Sequence, residues 1–102
     1  MYNVRMKELK FEWDVNKDKT NTKKHDVTFD EARTAFFDEY AIDFYDPDHS
    51  EVEDRFILLG NSFKLNTVVV CHCFREGETK VRIISARKAN KQEQKAYWKY
   101  RL

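Results

Sequence analysis

The residues able to do chemistry concentrate in one run, Lys80-Val-Arg-Ile-Ile-Ser-Ala-Arg-Lys-Ala89, in which cations interrupt a β-forming stretch just before a helix opens. A guanidinium is planar and permanently charged, and it can donate two parallel hydrogen bonds to a phosphate. A strand holds it there with less lost freedom than a loop would. The run therefore points to an anionic substrate or partner. Arg55 and Arg75 stand at the ends of other predicted strands and can add to the same field. His25, His49 and His72 are the side chains whose ordinary pKa lets them take or give a proton near neutral pH. The same spacing is also what solvated strand charges would show, with no chemistry attached.

Cys71 and Cys73 flank His72, which invites a metal or redox reading. The spacing argues against it. Structural zinc sites place their cysteines two to four residues apart on a turn, and a redox pair needs C-x-x-C at a helix start. The two thiols are expected to be small buried hydrophobes, with no metal and no cofactor involved.

These groups need a frame, and the sequence supplies one. Leu9 to Trp13 alternates as a strand, with residues before it as a lead-in, and Asp14 can cap a polar helix from Val15 to Lys24. Thr28 and Glu31 have the spacing of a capping box for a second helix, with Phe29, Ala32 and Phe36 inward and an end near Asp38 or Glu39. Ala41–Tyr45, Arg55–Leu59, Leu65–Phe74 and Lys80–Ala86 read as strands, the third apolar on both faces and so a candidate sheet centre. Asp46–Ser50 and Arg75–Glu78 are turns. Asn90 and Glu93 form another capping box, opening a C-terminal helix whose inner face is Ala89, Ala96, Tyr97 and Tyr100. The expected class is α+β: a mostly antiparallel, twisted sheet with two N-terminal helices and one C-terminal helix on one face.

A chain of 102 residues fits one domain, with a core from about residue 9 to residue 100. It shows no basic-then-apolar leader and no apolar run of membrane length, so the cytoplasm is the expected location and no membrane is involved. The formal net charge of +1 conceals strong segregation. Residues 1–24 hold seven Lys/Arg against four Asp/Glu, residues 26–54 hold one against eleven, and residues 55–102 hold eleven against three. One face can draw in nucleic acid while another suits a basic partner, unless the two stretches simply pair on folding.

Taken together, several blocks resemble one family. Phe11-Glu-Trp-Asp14, Asn21, Lys24-His25 with Val27 and Phe29 ahead of Glu31-Ala32, Asp48-His49-Ser50, Glu53, Arg55, Gly60, and Arg82-Ile-Ile-Ser-Ala-Arg-Lys88 with Glu93 and Tyr97 resemble the BrnT family of bacterial toxins. The resemblance runs from about Phe11 to Tyr97. Members tend to carry Glu where this chain has Asp54, and an aromatic residue around Cys71 to Cys73. The resemblance implies a RelE-like fold and a metal-independent endoribonuclease that stops translation. It also implies a BrnA-like antitoxin with a ribbon-helix-helix DNA-binding domain, in a 2:2 hetero-oligomer that reaches operator DNA only through the antitoxin. Other readings are a non-catalytic RNA-binding module or corepressor acting through its partner, and a small metal module on Cys71, His72 and Cys73.

Metal-free RNA cleavage needs a base for the 2′-hydroxyl, an acid for the leaving oxygen and cations on the phosphoryl oxygens. His25, beside Lys24 at the end of the first helix, is the preferred proton-transfer group, or else a cation at a helix C-terminus. Arg87 is expected to stabilise transition-state charge, with Arg55 and Arg75 as partners. Arg82 should face away from Arg87 if the strand is regular, and would hold RNA backbone or pair with the acidic segment. Lys17, Lys24 and Lys88 would form a backbone track, and Tyr97 would stack on a base, orient an arginine or serve the core. His49 lies in an acidic loop that would repel phosphate, so it is read as ordering that loop or touching the antitoxin. His72 is read as a hydrogen-bonded, half-buried side chain.

Overall fold

Alternation of Leu9, Phe11 and Trp13 produces a short strand, β1 (Lys10–Glu12), and the Asp14 carboxylate then accepts from the backbone N–H groups of Asn16 and Lys17 to start α1 (Val15–His25). The structure, a computed structural model, describes residues 9–101, and the lead-in ahead of them lies outside the described residues. Helix α1 stops where Asp26 turns left-handed, at φ 57°, and its N–H bonds back to Thr22. Helix α2 (Phe29–Thr34) follows at once, capped by the Thr28 hydroxyl on the Glu31 N–H, and tightens into a 3₁₀ turn (Ala35–Phe37) before Asp38. The capping box expected there is only half made. Glu31, 2% exposed, turns inward and accepts from Ser62 Oγ at 2.6 Å and Asn66 Nδ2 at 2.9 Å, tying α2 to a distant turn.

The remaining elements are β2 (Ile42–Tyr45), a 3₁₀ turn (Pro47–His49), β3 (Phe56–Asn61), β4 (Thr67–Arg75), β5 (Lys80–Lys88) and α3 (Lys91–Arg101). Strand β4 starts later than expected because Leu65, at φ 63°, belongs to the turn closed by the Ser62 N–H on Asn66 O. The sheet runs in the order β1-β5-β4-β3-β2, with β4 at its centre as its two apolar faces require. It is mixed rather than uniformly antiparallel. β5, β4, β3 and β2 pair antiparallel, whereas β1 lies parallel to β5 with Lys10 opposite Lys80 and Glu12 opposite Arg82.

Both faces of this sheet are covered, which corrects the expectation of helices on one face. Val68 and Val70 of β4 join Leu58, Val81, Ile83 and Ala86 beneath Phe29, Ala32 and Phe36 of the α1–α2 layer. Val69, pointing the other way, joins Leu59 under Tyr97 of α3 and Ala89 just ahead of it. Full burial of Phe29 and Phe36 contributes about 2 to 3 kcal/mol each. The α3 core is narrow, so Tyr100, expected inward, is 77% exposed. The Asn90–Glu93 capping box is complete, each side chain accepting the other residue's N–H, at 2.8 and 2.9 Å. Gly60 suits the place where β3 passes the 3₁₀ turn, because a Cβ there would stand a tight 3.1 Å from the Ala35 carbonyl oxygen and from Ala41 Cβ.

Candidate active site

The β4–β5 ladder contains one irregularity, and it decides where the arginines go. Cys71 pairs with Ser85 but His72 pairs with Ile83, so Ile84 is an extra residue on β5, a β-bulge. Arg82 lies opposite Cys73 and Arg87 opposite Val69, and those two β4 residues, four apart, share a face. The expectation that Arg82 and Arg87 point to opposite faces is therefore wrong, because the bulge resets the alternation. Arg75, two residues after Cys73, and Arg55, two before Ile57, fall on that same face.

Only part of this arginine set shares a cavity. Arg55 and Arg87 line a groove of about 280 Å³ with His25, Asp46, His49 and Ser85, floored by Ile57, Val69, Cys71, Ile84 and Ala86. Arg87 is held at the groove wall by Glu93 through Nη1–Oε1 and Nη2–Oε2 bonds of 2.8 Å each. The pair shifts both groups, the Arg87 guanidinium lowering the Glu93 pKa and Glu93 raising that of Arg87. Arg75 instead donates to Glu53 at 2.7 Å and to Cys73 Sγ at 3.1 Å, outside the groove. Arg82 donates to Glu12 at 2.6 Å, so its partner is the adjacent strand β1 rather than the acidic segment.

Lys17, Lys24 and His25 line a shallow depression on α1 of about 410 Å³, which shares His25, Ile84 and Ser85 with the groove. His25 is thus the hinge between a lysine-lined approach and the arginine pocket. Helix α1 is set against β5 by Asn21, 8% exposed, whose Nδ2 donates to Ala86 O at 2.8 Å and Val27 O at 3.0 Å while its Oδ1 accepts the Ala86 N–H at 3.0 Å. Strand β1 has ended by that point of β5, so the Asn21 amide takes the place of a neighbouring strand.

Besides Arg75 and Arg82, two further expected site residues lie elsewhere. Lys88, opposite Val68, faces the α1–α2 side, with Nζ 3.6 Å from Asp26 Oδ2. Tyr97 is fully buried and cannot stack on a base: its hydroxyl donates to Asp38 Oδ2 at 2.5 Å, and burial with that carboxylate pushes its pKa up to about 12. Among the other groups, His72 is fully rather than half buried, boxed by Phe36, Phe56 and Phe74, with Nδ1 donating to Val70 O at 3.1 Å. Burial lowers its pKa to about 4. Burial likewise raises the pKa of both Cys71 and Cys73, which are unpaired in any disulfide. Among the described residues no group of three His, Cys, Asp or Glu side chains is placed to hold a metal ion, and no helix is long and apolar enough to cross a membrane.

Sequence reasoning passed over Asp46 and His49, which the fold brings into the groove. Their signal was the three-residue spacing inside a proline-containing turn, since residues i and i+3 eclipse on a 3₁₀ helix. His49 Nδ1 lies 2.8 Å from Asp46 Oδ2. The acidic sequence around them had suggested repulsion of phosphate, but Asp46 is 8% exposed and engaged, while Arg55 closes the same connection.

Comparison with known proteins identifies the family. No curated protein matches the chain. The 1.1 Å crystal structure of the Brucella abortus ribonuclease toxin BrnT superposes with a TM-score of 0.60 at 25% identity, covering 81% of this chain and 99% of that one. A family model described as the ribonuclease toxin, BrnT, of a type II toxin-antitoxin system matches residues 13–93, which span the groove from α1 through the bulged strand to Glu93. On that match over most of its length, the chain belongs to the BrnT family of ribonuclease toxins of type II toxin-antitoxin systems.

Proposed function

We propose that the protein is a metal-independent endoribonuclease with a RelE-like fold, which cleaves RNA in the groove between α1, β5 and the β2–β3 connection and so inhibits translation in the cytoplasm. His25 serves proton transfer, and Arg87 and Arg55 stabilise the extra negative charge on the phosphoryl oxygens. The observation that supports this best is the Ile84 bulge, without which Arg87 would not share a face with Arg55. Lys17 and Lys24 lead RNA backbone to that point. Arg75 and Arg82, on the same face but committed to Glu53 and Glu12, hold flanking phosphates at most through shared donors.

An antitoxin partner follows from membership of the family. We read it as BrnA-like, with a ribbon-helix-helix domain, assembling with the toxin as a 2:2 hetero-oligomer and carrying it to operator DNA. The deciding experiment incubates pure, folded protein with RNA in the presence of a chelator. Cleavage is expected to continue, and Arg87→Ala is expected to lower it about 10²- to 10³-fold. RNA that is bound but left intact would identify a non-catalytic binder instead.

A further inference from the structure

We propose that His49 is the second proton-transfer residue of the cleavage reaction and that Asp46 is its positioning residue. The inference rests on the groove being a ribonuclease site. An ionised carboxylate only accepts, so at 2.8 Å the Asp46 Oδ2 takes the His49 Nδ1–H and leaves Nε2 as the free proton-transfer atom. The exposures divide the labour: the His49 side chain is 67% exposed and that of Asp46 only 10%. Asp46 is fixed in turn, its N–H donating to Arg55 O at 2.9 Å and its carbonyl accepting from Ser50 Oγ at 2.5 Å. Ser50 Oγ also accepts the Arg55 N–H at 2.9 Å. One small turn therefore sets both an imidazole and an arginine against the same groove, with His25 lining it from α1.

Two imidazoles supply what the reaction lacks with one. One takes the proton of the ribose 2′-hydroxyl as that oxygen bonds to phosphorus. The other gives a proton to the 5′-oxygen as the P–O5′ bond breaks and the oxygen leaves with the electron pair. The products are a 2′,3′-cyclic phosphate and a 5′-hydroxyl, with one proton taken and one returned.

The test measures kcat and KM on an RNA oligonucleotide for the wild type, His49→Gly, His49→Gln, Asp46→Asn and Arg87→Ala. His49 is exposed, so its variants are expected to keep the wild-type circular dichroism. His49→Gly is expected to lower kcat about 10²- to 10⁴-fold, and free imidazole added to that variant to restore cleavage. Asp46→Asn is expected to lower kcat with KM unchanged, and a kcat left at the wild-type level would overturn its positioning role. Loss of activity that imidazole does not restore, or a His49→Gln protein as active as the wild type while Arg87→Ala is inactive, overturns the role of His49 and leaves the ribonuclease reading standing. A wild-type protein that leaves RNA intact overturns both.

Discussion

The Arg87 guanidinium grips the Glu93 carboxylate through two parallel bonds of 2.8 Å, and the same Glu93 Oε1 accepts the Asn90 N–H that opens α3. The start of the last helix and the aim of the groove arginine are therefore one structure. Glu93→Gln keeps the capping geometry but removes the charge. Because Arg87 depresses the Glu93 pKa, the stabilisation is present above the ordinary carboxylate value and is lost as pH falls through the folded value. Urea unfolding should find Glu93→Gln less stable than the wild type at pH 7, with the gap closing toward pH 3. A gap that persists in acid would mean the ion pair contributes nothing.

Asn21 joins the element carrying His25 to the strand carrying Arg87 through two hydrogen bonds with Ala86, of 2.8 and 3.0 Å, and holds the α1–α2 connection through a third to Val27 O at 3.0 Å. Asn21→Ala leaves the Ala86 N–H and two carbonyls without these partners, at a cost of about 2 to 4 kcal/mol. Equilibrium denaturation gives the stability change. A cleavage assay under native conditions should show loss beyond the unfolded fraction, because α1 is no longer registered against β5.

His72 ties stability to pH in the same direction for a different reason. Its pKa is about 4 in the folded protein against an ordinary 6.5, because burial outweighs the hydrogen bond that Nδ1 makes to the Val70 carbonyl. Between these values the unfolded chain binds more protons, so stability is full above pH 6.5 and declines as pH falls toward 4, by roughly 3 kcal/mol at most. Thermal melts across that range should show the decline in the wild type. A His72→Phe variant that remains folded should show a flatter profile.

Lys17 and Lys24 lie along the approach to His25. If they meet RNA phosphates, Lys24→Ala should weaken binding of single-stranded RNA and reduce the slope of log K against log salt by about 0.7. Lys88→Ala, whose ammonium lies beside Asp26 and lines neither the depression nor the groove, should leave that slope unchanged. Filter-binding titrations at several salt concentrations separate the two.

Local chemistry made much of this legible. Asp14, Thr28 and Asn90 cap the helices that their spacing announced, and the two-sided apolar pattern of β4 marked the centre of the sheet. What escaped depends on pairing between distant segments. Nothing in Arg82-Ile-Ile-Ser-Ala-Arg87 itself reveals that Ile84 is unpaired, since the bulge exists only against Cys71 and His72. His49 was discounted from the charges beside it in sequence, but the groove it lines also holds Arg55 and Arg87, which come from a strand end and from another strand. Tyr97 had the right type for a stacking residue, and only its burial against Asp38 assigns it to the core.

The parallel pairing of the first strand with the last has a consequence for synthesis. Lys10 is made before Lys80, so β1 has no strand to pair with until β5 has been translated. A polypeptide halted before that point lacks Arg82 and Arg87 together with the strand on which β1 docks. Truncation at Thr79 is thus expected to yield a harmless product, because the partner of β1 and both arginines arrive on the same strand.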